Sequence, residues 1–255
     1  MARAACGTVR VSTSTVAILV FPGTNSEEET LAACNAAGLD ARLVLWSDPP
    51  ADLPRYDAFI LPGGFAFEDR VRAGAVAAKS QAVEIVAREA ERGKLVLGLC
   101  NGAQVLAEAG LLGAVAIARN VPARHFQNRF VDVELTAPPQ RCAFTFQLAP
   151  GAKIRMAMAH AEGRFCGDAS TFDALERAGR ITFRYAGGAP NGAMRDAAGV
   201  CNEAGNVLAL MPHPERAAWA FNLAFEDPSL RSLDSSTPTP ALQIFRSLAA
   251  SLTRA

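Results

Sequence analysis

The sequence predicts an α/β protein in which the first half forms a parallel sheet and the second half adds further strands. Apolar runs of strand length alternate with helical patterns over residues 16–109, and two of the runs end in a Pro-Gly turn. Strands separated by helices favour parallel βαβ units, because neighbouring parallel strands need a long crossover connection. The second half is rich in strand-like runs, which either pair antiparallel or complete the sheet.

The first half contains four predicted strands, over residues 16–21, 41–46, 58–61 and 94–99. A helix follows the first strand. Asn25 or Ser26 caps it, and three glutamates occupy its first turn, where the helix dipole favours acidic groups. A second helix is predicted over residues 78–92 and a third over residues 103–109.

The second half contains five predicted strands, over residues 130–135, 143–147, 153–159, 181–185 and 207–211. A polar segment rich in proline, serine and threonine predicts a surface loop over 226–240, and a closing helix is predicted over 242–252. Residues 1–15 lack the apolar centre of a signal peptide and are interpreted as an N-terminal extension. No linker divides the rest, so residues 16–255 are predicted to form a single domain.

Composition and charge exclude several classes of protein. The 255 residues include 25 basic and 25 acidic side chains, so there is no basic excess of the kind that nucleic-acid or membrane surfaces need. No apolar run reaches the roughly 18 residues of a membrane span. The six cysteines have none of the close spacings of a zinc or redox motif. This predicts free thiols, no metal site and a reducing, cytoplasmic compartment.

One cysteine lies at a predicted corner between a strand and a helix. Cys100 follows the apolar run 94–99, Gly98 and Gly102 flank it, and a helical pattern begins directly afterwards. Such a turn exposes a nucleophile at the carboxyl edge of a sheet, and the N–H groups of the helix favour the reactive thiolate. The other five cysteines are interpreted as buried packing residues, the usual role of a free cysteine.

A thiolate nucleophile needs a base, and two histidines have a suitable sequence context. His213 lies between two prolines and two residues before Glu215, and His160 lies two residues before Glu162. In an extended segment such residues face the same side, so each carboxylate could orient its histidine. Spacing alone leaves both histidines open as the base, and His160 could equally contact substrate or serve the structure.

Backbone N–H groups are predicted to stabilise the oxyanion that forms when the thiolate attacks an acyl carbon. One donor is expected from Asn101, the residue after the nucleophile. The others are expected from Gly63 and Gly64, at the end of the strand predicted to lie beside that of Cys100. Glycine allows a ligand to approach the backbone closely, which suits this task.

Several blocks of the sequence resemble class I glutamine amidotransferases, and most closely the glutaminase subunits of phosphoribosylformylglycinamidine (FGAM) synthases. The blocks occur in family order over residues 16–217. They are Phe21-Pro-Gly-Thr-Asn25, Leu61-Pro-Gly-Gly-Phe65, Asp69-Arg-Val-Arg-Ala-Gly74, Gly98-Leu-Cys-Asn-Gly102 with Gln104, Asn120, His160-Ala-Glu-Gly-Arg164, Pro190-Asn-Gly192 and Met211-Pro-His-Pro-Glu-Arg216.

The resemblance implies a three-layer, flavodoxin-like fold with a largely parallel central sheet, a nucleophile elbow and additional antiparallel strands. It implies a triad of Cys100 as nucleophile, His213 as base and Glu215 as the group that orients the base, which resolves the choice between the two histidines. The substrate-binding residues that it implies are Gln104, His160, Ala161 and Glu162.

The implied activity is hydrolysis of L-glutamine to glutamate and ammonia. The ammonia is implied to pass to a synthetase subunit, which makes FGAM in purine biosynthesis. ATP and Mg²⁺ are expected on that partner, and a small bridging subunit is expected beside it. No cofactor is expected in this chain, which has no Gly-x-x-x-x-Gly-Lys-Ser/Thr loop. Two alternatives stay open: an amidotransferase subunit of another pathway, or a non-enzymatic redox-sensing or assembly subunit. One departure is Glu68, where the family usually has glycine.

Overall fold

The computed structural model describes residues 14–254, which contain eleven strands and six α-helices. The strands are β1 (Thr15–Val20), β2 (Asp40–Leu45), β3 (Ala58–Leu61), β4 (Leu95–Leu99), β5 (Ala116–Arg119), β6 (Gln127–Leu135), β7 (Lys153–His160), β8 (Glu162–Cys166), β9 (Ile181–Tyr185), β10 (Ala197–Cys201) and β11 (Val207–Leu210). The helices are α1 (Glu27–Ala36), α2 (Gln81–Glu91), α3 (Asn101–Glu108), α4 (Ala169–Arg177), α5 (Ala220–Leu223) and α6 (Gln243–Leu252).

Nine strands form one sheet in the order β2-β1-β3-β4-β11-β10-β9-β6-β7, and β5 pairs with β8 in a separate two-stranded sheet. From β2 to β11 the pairing is parallel. From β11 to β7 it is antiparallel. The predicted α/β fold, with a large parallel sheet and additional antiparallel strands, is confirmed. β11 joins the two halves, because it pairs parallel with β4 and antiparallel with β10.

The central parallel strands are buried, as their continuous apolar sequences require. β3 is buried along its whole length, and β4 is buried at every residue after the first. The carboxyl ends of β3, β4 and β11 meet at one edge, since the three strands are neighbours and run in the same direction. Open α/β sheets bind their ligands at such an edge.

The helices pack against this sheet. α1 contacts β1, β2 and α6, and α3 contacts β3, β4 and β11. α2 begins after Ser80, whose hydroxyl accepts a hydrogen bond from the Val83 N–H, and a short 3₁₀ helix, Ala77–Lys79, precedes it. None of the helices among residues 14–254 combines the length and the apolar composition that crossing a bilayer requires.

The predicted strands match the structure closely, with one error. β3 and β9 have the predicted bounds, and the other matching strands differ from prediction by one to three residues at an end. The predicted strand 143–147 is wrong, because these residues form turns, one of which is closed by a bond from the Thr145 N–H to the Cys142 carbonyl. The Thr145 hydroxyl also donates to the Pro139 carbonyl at 2.8 Å. Local hydrogen bonds therefore replace a strand ladder.

Five elements were not predicted: β5, β8, α4, β10 and α5. The predicted helix after Cys100 begins two residues earlier than expected, at Asn101, and the closing helix begins at Gln243. The predicted loop 226–240 is mostly exposed and includes a short 3₁₀ helix, Pro228–Ser232. Of the predicted N-terminal extension, residues 1–13 lie outside the described residues.

Candidate active site

Cys100 lies on a strained corner between β4 and α3. Its backbone has φ 49° and ψ −102°, and a residue with a side chain adopts such a conformation at a cost of about 1–3 kcal/mol. The N–H of Cys100 donates to the Leu210 carbonyl at 2.8 Å, and its carbonyl accepts from the Gln104 N–H at 3.1 Å. The corner thus connects the sheet ladder directly to the first turn of the helix, in the predicted strand-turn-helix arrangement.

Two glycines allow the corner to form. A Cβ on Gly102 would lie 1.9 Å from the Leu61 carbonyl oxygen, and one on Gly98 would lie 2.7 Å from the Gly102 carbonyl carbon. Neither space holds a methyl group, so β3, β4 and α3 approach at distances that only glycine allows. The Gly102 N–H donates to the Pro62 carbonyl at 3.1 Å, which holds the turn after β3 against the helix.

The segment after β11 brings His213 and Glu215 together. Glu215 begins a short 3₁₀ helix, Glu215–Ala217, and its Oε1 lies 2.5 Å from His213 Nδ1. Both side chains are buried. Because Nδ1 is engaged, Nε2 is the ring nitrogen left for other chemistry. The His213 N–H donates to the Ala157 carbonyl at 2.7 Å, which ties this segment to β7.

β7 and the glycine turn after β3 enclose the thiol and the imidazole. Cys100 is 5% exposed, and its Sγ donates to the Ala159 carbonyl at 3.6 Å. A Cβ on Gly63 would lie 2.5 Å from His213 Cε1, so the imidazole packs directly on the Gly63 backbone. The ends of β3, β4 and β11 therefore supply a glycine turn, a thiol and an imidazole to one buried space.

The electrostatics favour a protonated imidazole at His213. Burial opposes the charge, but Glu215 and Cys100 outweigh it through their negative charges and hydrogen bonds, and raise the pKa of His213 from 6.5 to about 10. A protonated imidazole beside a cysteine can serve as the acid that donates a proton to a leaving group. Glu215 Oε2 has no hydrogen-bond partner within residues 14–254.

The three predicted oxyanion donors differ in their hydrogen bonding. The Gly63 N–H donates to Ser26 Oγ at 2.9 Å, so it is not available to an oxyanion and the prediction for this residue is corrected. The N–H groups of Gly64 and Asn101 have no backbone acceptor in the described part of the chain. Gly64 has φ 156°, and a Cβ there would lie 2.5 Å from the Gly23 carbonyl oxygen. Two of the three donors remain candidates.

Gln104 and Ala161, two predicted substrate-binding residues, both bind neighbouring protein groups. The Gln104 Oε1 accepts from Asn101 Nδ2 at 2.8 Å, and its Nε2 donates to the Glu162 carbonyl. The Ala161 carbonyl accepts from the Asn120 N–H at 2.9 Å. Gln104 is thus held between the elbow helix and the β7–β8 turn.

The other two predicted substrate-binding residues, His160 and Glu162, do not pair with each other. The Glu162 carboxylate accepts from the Ala73 N–H at 3.3 Å and from Arg119 Nε at 3.2 Å. His160 Nδ1 lies 3.2 Å from Asn120 Oδ1 instead. The second His-x-Glu segment therefore lacks the pair that orients a base.

His160 is a buried, neutral histidine. Burial and the charge of His213 lower its pKa from 6.5 to about 3. Its Nε2 has no hydrogen-bond partner among the described residues, and with Nδ1 donating to Asn120 this nitrogen is an acceptor. A Cβ on Gly163 would lie 2.1–2.4 Å from the ring atoms, so the imidazole packs on the Gly163 backbone.

Three polar residues support the site although the sequence indicated no such role for them. Ser26, expected as a helix cap, makes no side-chain capping bond and instead accepts the Gly63 N–H. Asn120 accepts the Gly163 N–H, and Asn191 donates to the Gly163 carbonyl. For Asn120 and Asn191 the available signal was their place in the blocks that resemble the family, whereas Ser26 lies one residue after such a block. Within residues 14–254 no group of three or more side chains could hold a metal ion.

The loop after Gly64 has an unusual backbone. Phe67, Glu68, Asp69 and Val71 all have positive φ, between 50° and 73°. For residues other than glycine this conformation costs about 1–2 kcal/mol each. A glycine at position 68, as the family resemblance leads us to expect there, would remove the strain at that one residue, so Glu68 raises the energy of the loop.

Comparisons with known proteins place this arrangement in context. A family model described as a CobB/CobQ-like glutamine amidotransferase domain matches residues 13–250. Phosphoribosylformylglycinamidine synthase subunit PurQ from Thermomicrobium roseum is 44% identical over 211 residues, which cover 79% of this chain and 86% of that protein. The PurQ subunit from Thermus thermophilus is 43% identical over 208 residues, covering 79% and 88%.

Two solved structures resemble the fold. PurLQS from Thermotoga maritima matches with a TM-score of 0.74 and 33% identity, over 92% of this chain and 97% of that chain. A glutamine amidotransferase from the same organism matches with a TM-score of 0.52 and 14% identity, over 94% and 96%, and this second likeness concerns the fold alone.

Proposed function

The chain belongs to the family of CobB/CobQ-like glutamine amidotransferase domains, and on this premise we infer that it is the glutaminase subunit of an FGAM synthase. It is then an enzyme subunit that releases the amide nitrogen of L-glutamine for purine biosynthesis, and its relatives are named as subunits of phosphoribosylformylglycinamidine synthase. The observation that carries the proposal is the buried assembly of Cys100, His213 and Glu215 at one sheet edge.

In the proposed reaction the Cys100 thiolate attacks the side-chain amide carbon of glutamine. The protonated His213 donates its Nε2 proton to the leaving nitrogen, and ammonia departs as the C–N bond breaks and a glutamyl thioester remains. His213, now neutral, takes a proton from water, whose oxygen attacks the thioester. Glutamate leaves and the thiolate returns. Glu215 keeps the imidazole oriented and stabilises its charge throughout.

The oxyanion of each tetrahedral intermediate is proposed to accept hydrogen bonds from the N–H groups of Asn101 and Gly64. Both groups lack a backbone acceptor in the described residues, and Asn101 begins α3, where the helix dipole adds positive potential. The strained corner holds Cys100 beside these donors without rearrangement during the reaction. We propose Gln104, His160, Ala161 and Glu162 as the groups around the glutamine.

Ammonia protonates in water, so it is proposed to pass directly to a synthetase partner. That subunit would use ATP and Mg²⁺, and a small bridging subunit would complete the complex. Support comes from the PurLQS structure, whose chain resembles this one over almost its whole length. The proposed compartment is the cytoplasm, where the five described cysteines would stay free thiols. We further propose that residues 16–255 act as one domain.

Replacing the nucleophile tests the assignment. Cys100→Ala should abolish glutamine-dependent FGAM synthesis by the complex of this chain with a synthetase subunit, and ammonia-dependent synthesis should persist. Cys34→Ala is a matched control. Cys34 is also a buried free thiol, but burial raises its pKa to about 12 and it lies on α1, outside the site. Both activities should survive in this control.

The outcomes separate clearly. If Cys100→Ala hydrolyses glutamine at the wild-type rate, Cys100 is not the nucleophile. If no synthetase subunit makes FGAM with the wild-type chain and glutamine, while the thiol still hydrolyses glutamine, the chain serves another pathway.

A further inference from the structure

The side chain of Asn101, the residue directly after the nucleophile, forms hydrogen bonds to protein groups through its oxygen and through its nitrogen. It is 3% exposed. Its Oδ1 accepts from the Ala66 N–H at 2.9 Å, and its Nδ2 donates to Asp69 Oδ1 at 2.9 Å and to Gln104 Oε1 at 2.8 Å. One carboxamide thus connects the elbow helix to two different parts of the site.

The first connection fixes the amide of Gln104. Its oxygen faces the Nδ2 donor of Asn101, and its nitrogen faces the acceptor carbonyl of Glu162. Turning the amide over would set oxygen against carbonyl oxygen on one side and nitrogen against nitrogen on the other. Only one of the two amide orientations is therefore satisfied, and it leaves the second Nε2–H of Gln104 for a ligand.

The second connection holds the strained loop. Ala66 directly precedes the residues with positive φ, and Asp69 is one of them; both are bound by the same Asn101 side chain. Burial raises the pKa of Asp69, while the bond from Asn101 opposes that rise, so the carboxylate is stabilised by this donor. The loop that carries one proposed oxyanion donor is thereby tied to the helix that carries the other.

We propose that Asn101 is a positioning residue that acts through its side chain. It orients Gln104 so that an N–H faces the glutamine substrate, and it separately holds the loop 66–69 in place. The proposal rests on the proposed function, because it requires glutamine as the ligand. It goes beyond that function because it assigns a positioning role to the side chain of Asn101, in addition to the oxyanion-binding role proposed for its backbone N–H.

Asn101→Asp tests the first connection, because aspartate has the same shape and no side-chain donor. Gln104 loses its donor and the Asp69 carboxylate faces a second carboxylate. The double variant Asp69→Asn/Asn101→Asp restores a donor–acceptor pair toward the loop but not toward Gln104. The two variants therefore separate the two connections.

The measurement is alkylation of Cys100 in the full chain by 6-diazo-5-oxo-L-norleucine, an electrophile shaped like glutamine. Iodoacetamide is the control reagent, because it alkylates a thiol without binding in the glutamine site. In both variants the half-saturating concentration of the analogue should rise about tenfold, the effect of one lost hydrogen bond to a bound ligand. The iodoacetamide rate in the double variant should stay within about twofold of wild type, and proteolysis of the loop should be faster only in the single variant.

An unchanged half-saturating concentration in Asn101→Asp, or its return to the wild-type value in the double variant, overturns the proposal. If the single variant does not fold, the double variant carries the same measurement, since its loop contact is restored. Failure of the proposed function looks different: glutamine would then not protect the wild-type thiol against the analogue at all, and the positioning role would fall with it.

Discussion

Two segments of this chain share the pattern His-x-Glu, and the structure gives them opposite environments. In one, His213 and Glu215 are paired at 2.5 Å, and the pKa of the histidine rises to about 10. In the other, His160 contacts Asn120 and not Glu162, and its pKa falls to about 3. The imidazole of His213 therefore stays protonated at neutral pH, and the imidazole of His160 stays neutral.

The backbone between the two members of each pattern explains the difference. His160 ends β7 and pairs with Gln127 in the main sheet, whereas Glu162 begins β8 and pairs with Arg119 in the two-stranded sheet. The single residue between them carries the chain from one sheet to the other. Side chains two residues apart share a face only where the chain continues in one extended strand or closes one local turn. The His-x-Glu spacing therefore indicates a contact between the two side chains only when the backbone conformation of the segment is known.

Removing each histidine should give the largest contrast between the segments. His213→Gln removes the proton donor for the leaving nitrogen, so kcat for glutamine hydrolysis should fall on the order of 10⁴-fold or more. His160→Gln should act mainly on KM, raising it about tenfold through a lost contact. Steady-state glutaminase kinetics of the complex check both, and equal losses of kcat would remove the distinction between the two histidines.

The glycine beneath each histidine offers a smaller, matched test. Gly63→Ala would push a methyl group into the His213 ring, and Gly163→Ala would do the same to His160. Displacing the base by about 1 Å should cost about 10²-fold in kcat, while displacing His160 should cost much less. The same kinetic assay applies, with circular dichroism to confirm folding. A larger loss of kcat for Gly163→Ala would reverse the roles.

The third contrast concerns stability: the free energy of unfolding should change with pH through His213 above pH 6.5 and through His160 below pH 6.5. The folded chain keeps a proton on His213 that the unfolded chain releases above pH 6.5. The stability from His213 is therefore complete below pH 6.5 and is lost as the pH rises through about 10. For His160 the unfolded chain binds the extra proton, so stability falls as the pH drops from 6.5 toward 3.

Each slope should approach about 1.4 kcal/mol per pH unit, the value for one proton. Urea unfolding of wild type, His213→Gln and His160→Gln over this pH range isolates the two contributions. Wild type and His213→Gln should diverge in alkaline solution, and wild type and His160→Gln should diverge in acid. Parallel curves at either end would show that the histidine there has an ordinary pKa.

The sequence predicted the strands in which large apolar side chains lie close together along the chain. β3 had the predicted bounds because its four residues are all apolar and buried, and β9 because large buried side chains alternate along it, at Ile181, Phe183 and Tyr185. β10 was missed because its sequence, Ala-Ala-Gly-Val-Cys, has small residues whose burial depends on neighbours far along the chain. The order of the antiparallel strands depends on such distant pairing, which no local pattern encodes.

For the site, sequence predicted the thiol corner, because Gly98 and Gly102 around a cysteine at the end of an apolar run are costly for ordinary packing. It did not predict that the Gly63 N–H is occupied, since the acceptor, Ser26, arrives from the turn after β1. Neither did it separate the two histidines by spacing. Hydrogen bonds between segments distant in sequence decide both points.

The position of β11 has a consequence for the order in which this molecule becomes active. β11 sits between β4 and β10, yet it is the last strand to be synthesised. Closing the long loop between β4 and β11 carries an entropic cost and delays their contact. Until β11 inserts, Cys100 lacks both the Leu210 carbonyl that accepts its N–H and the histidine that follows β11. The chain order of the strands therefore makes completion of the sheet a condition for assembling the three side chains of the site.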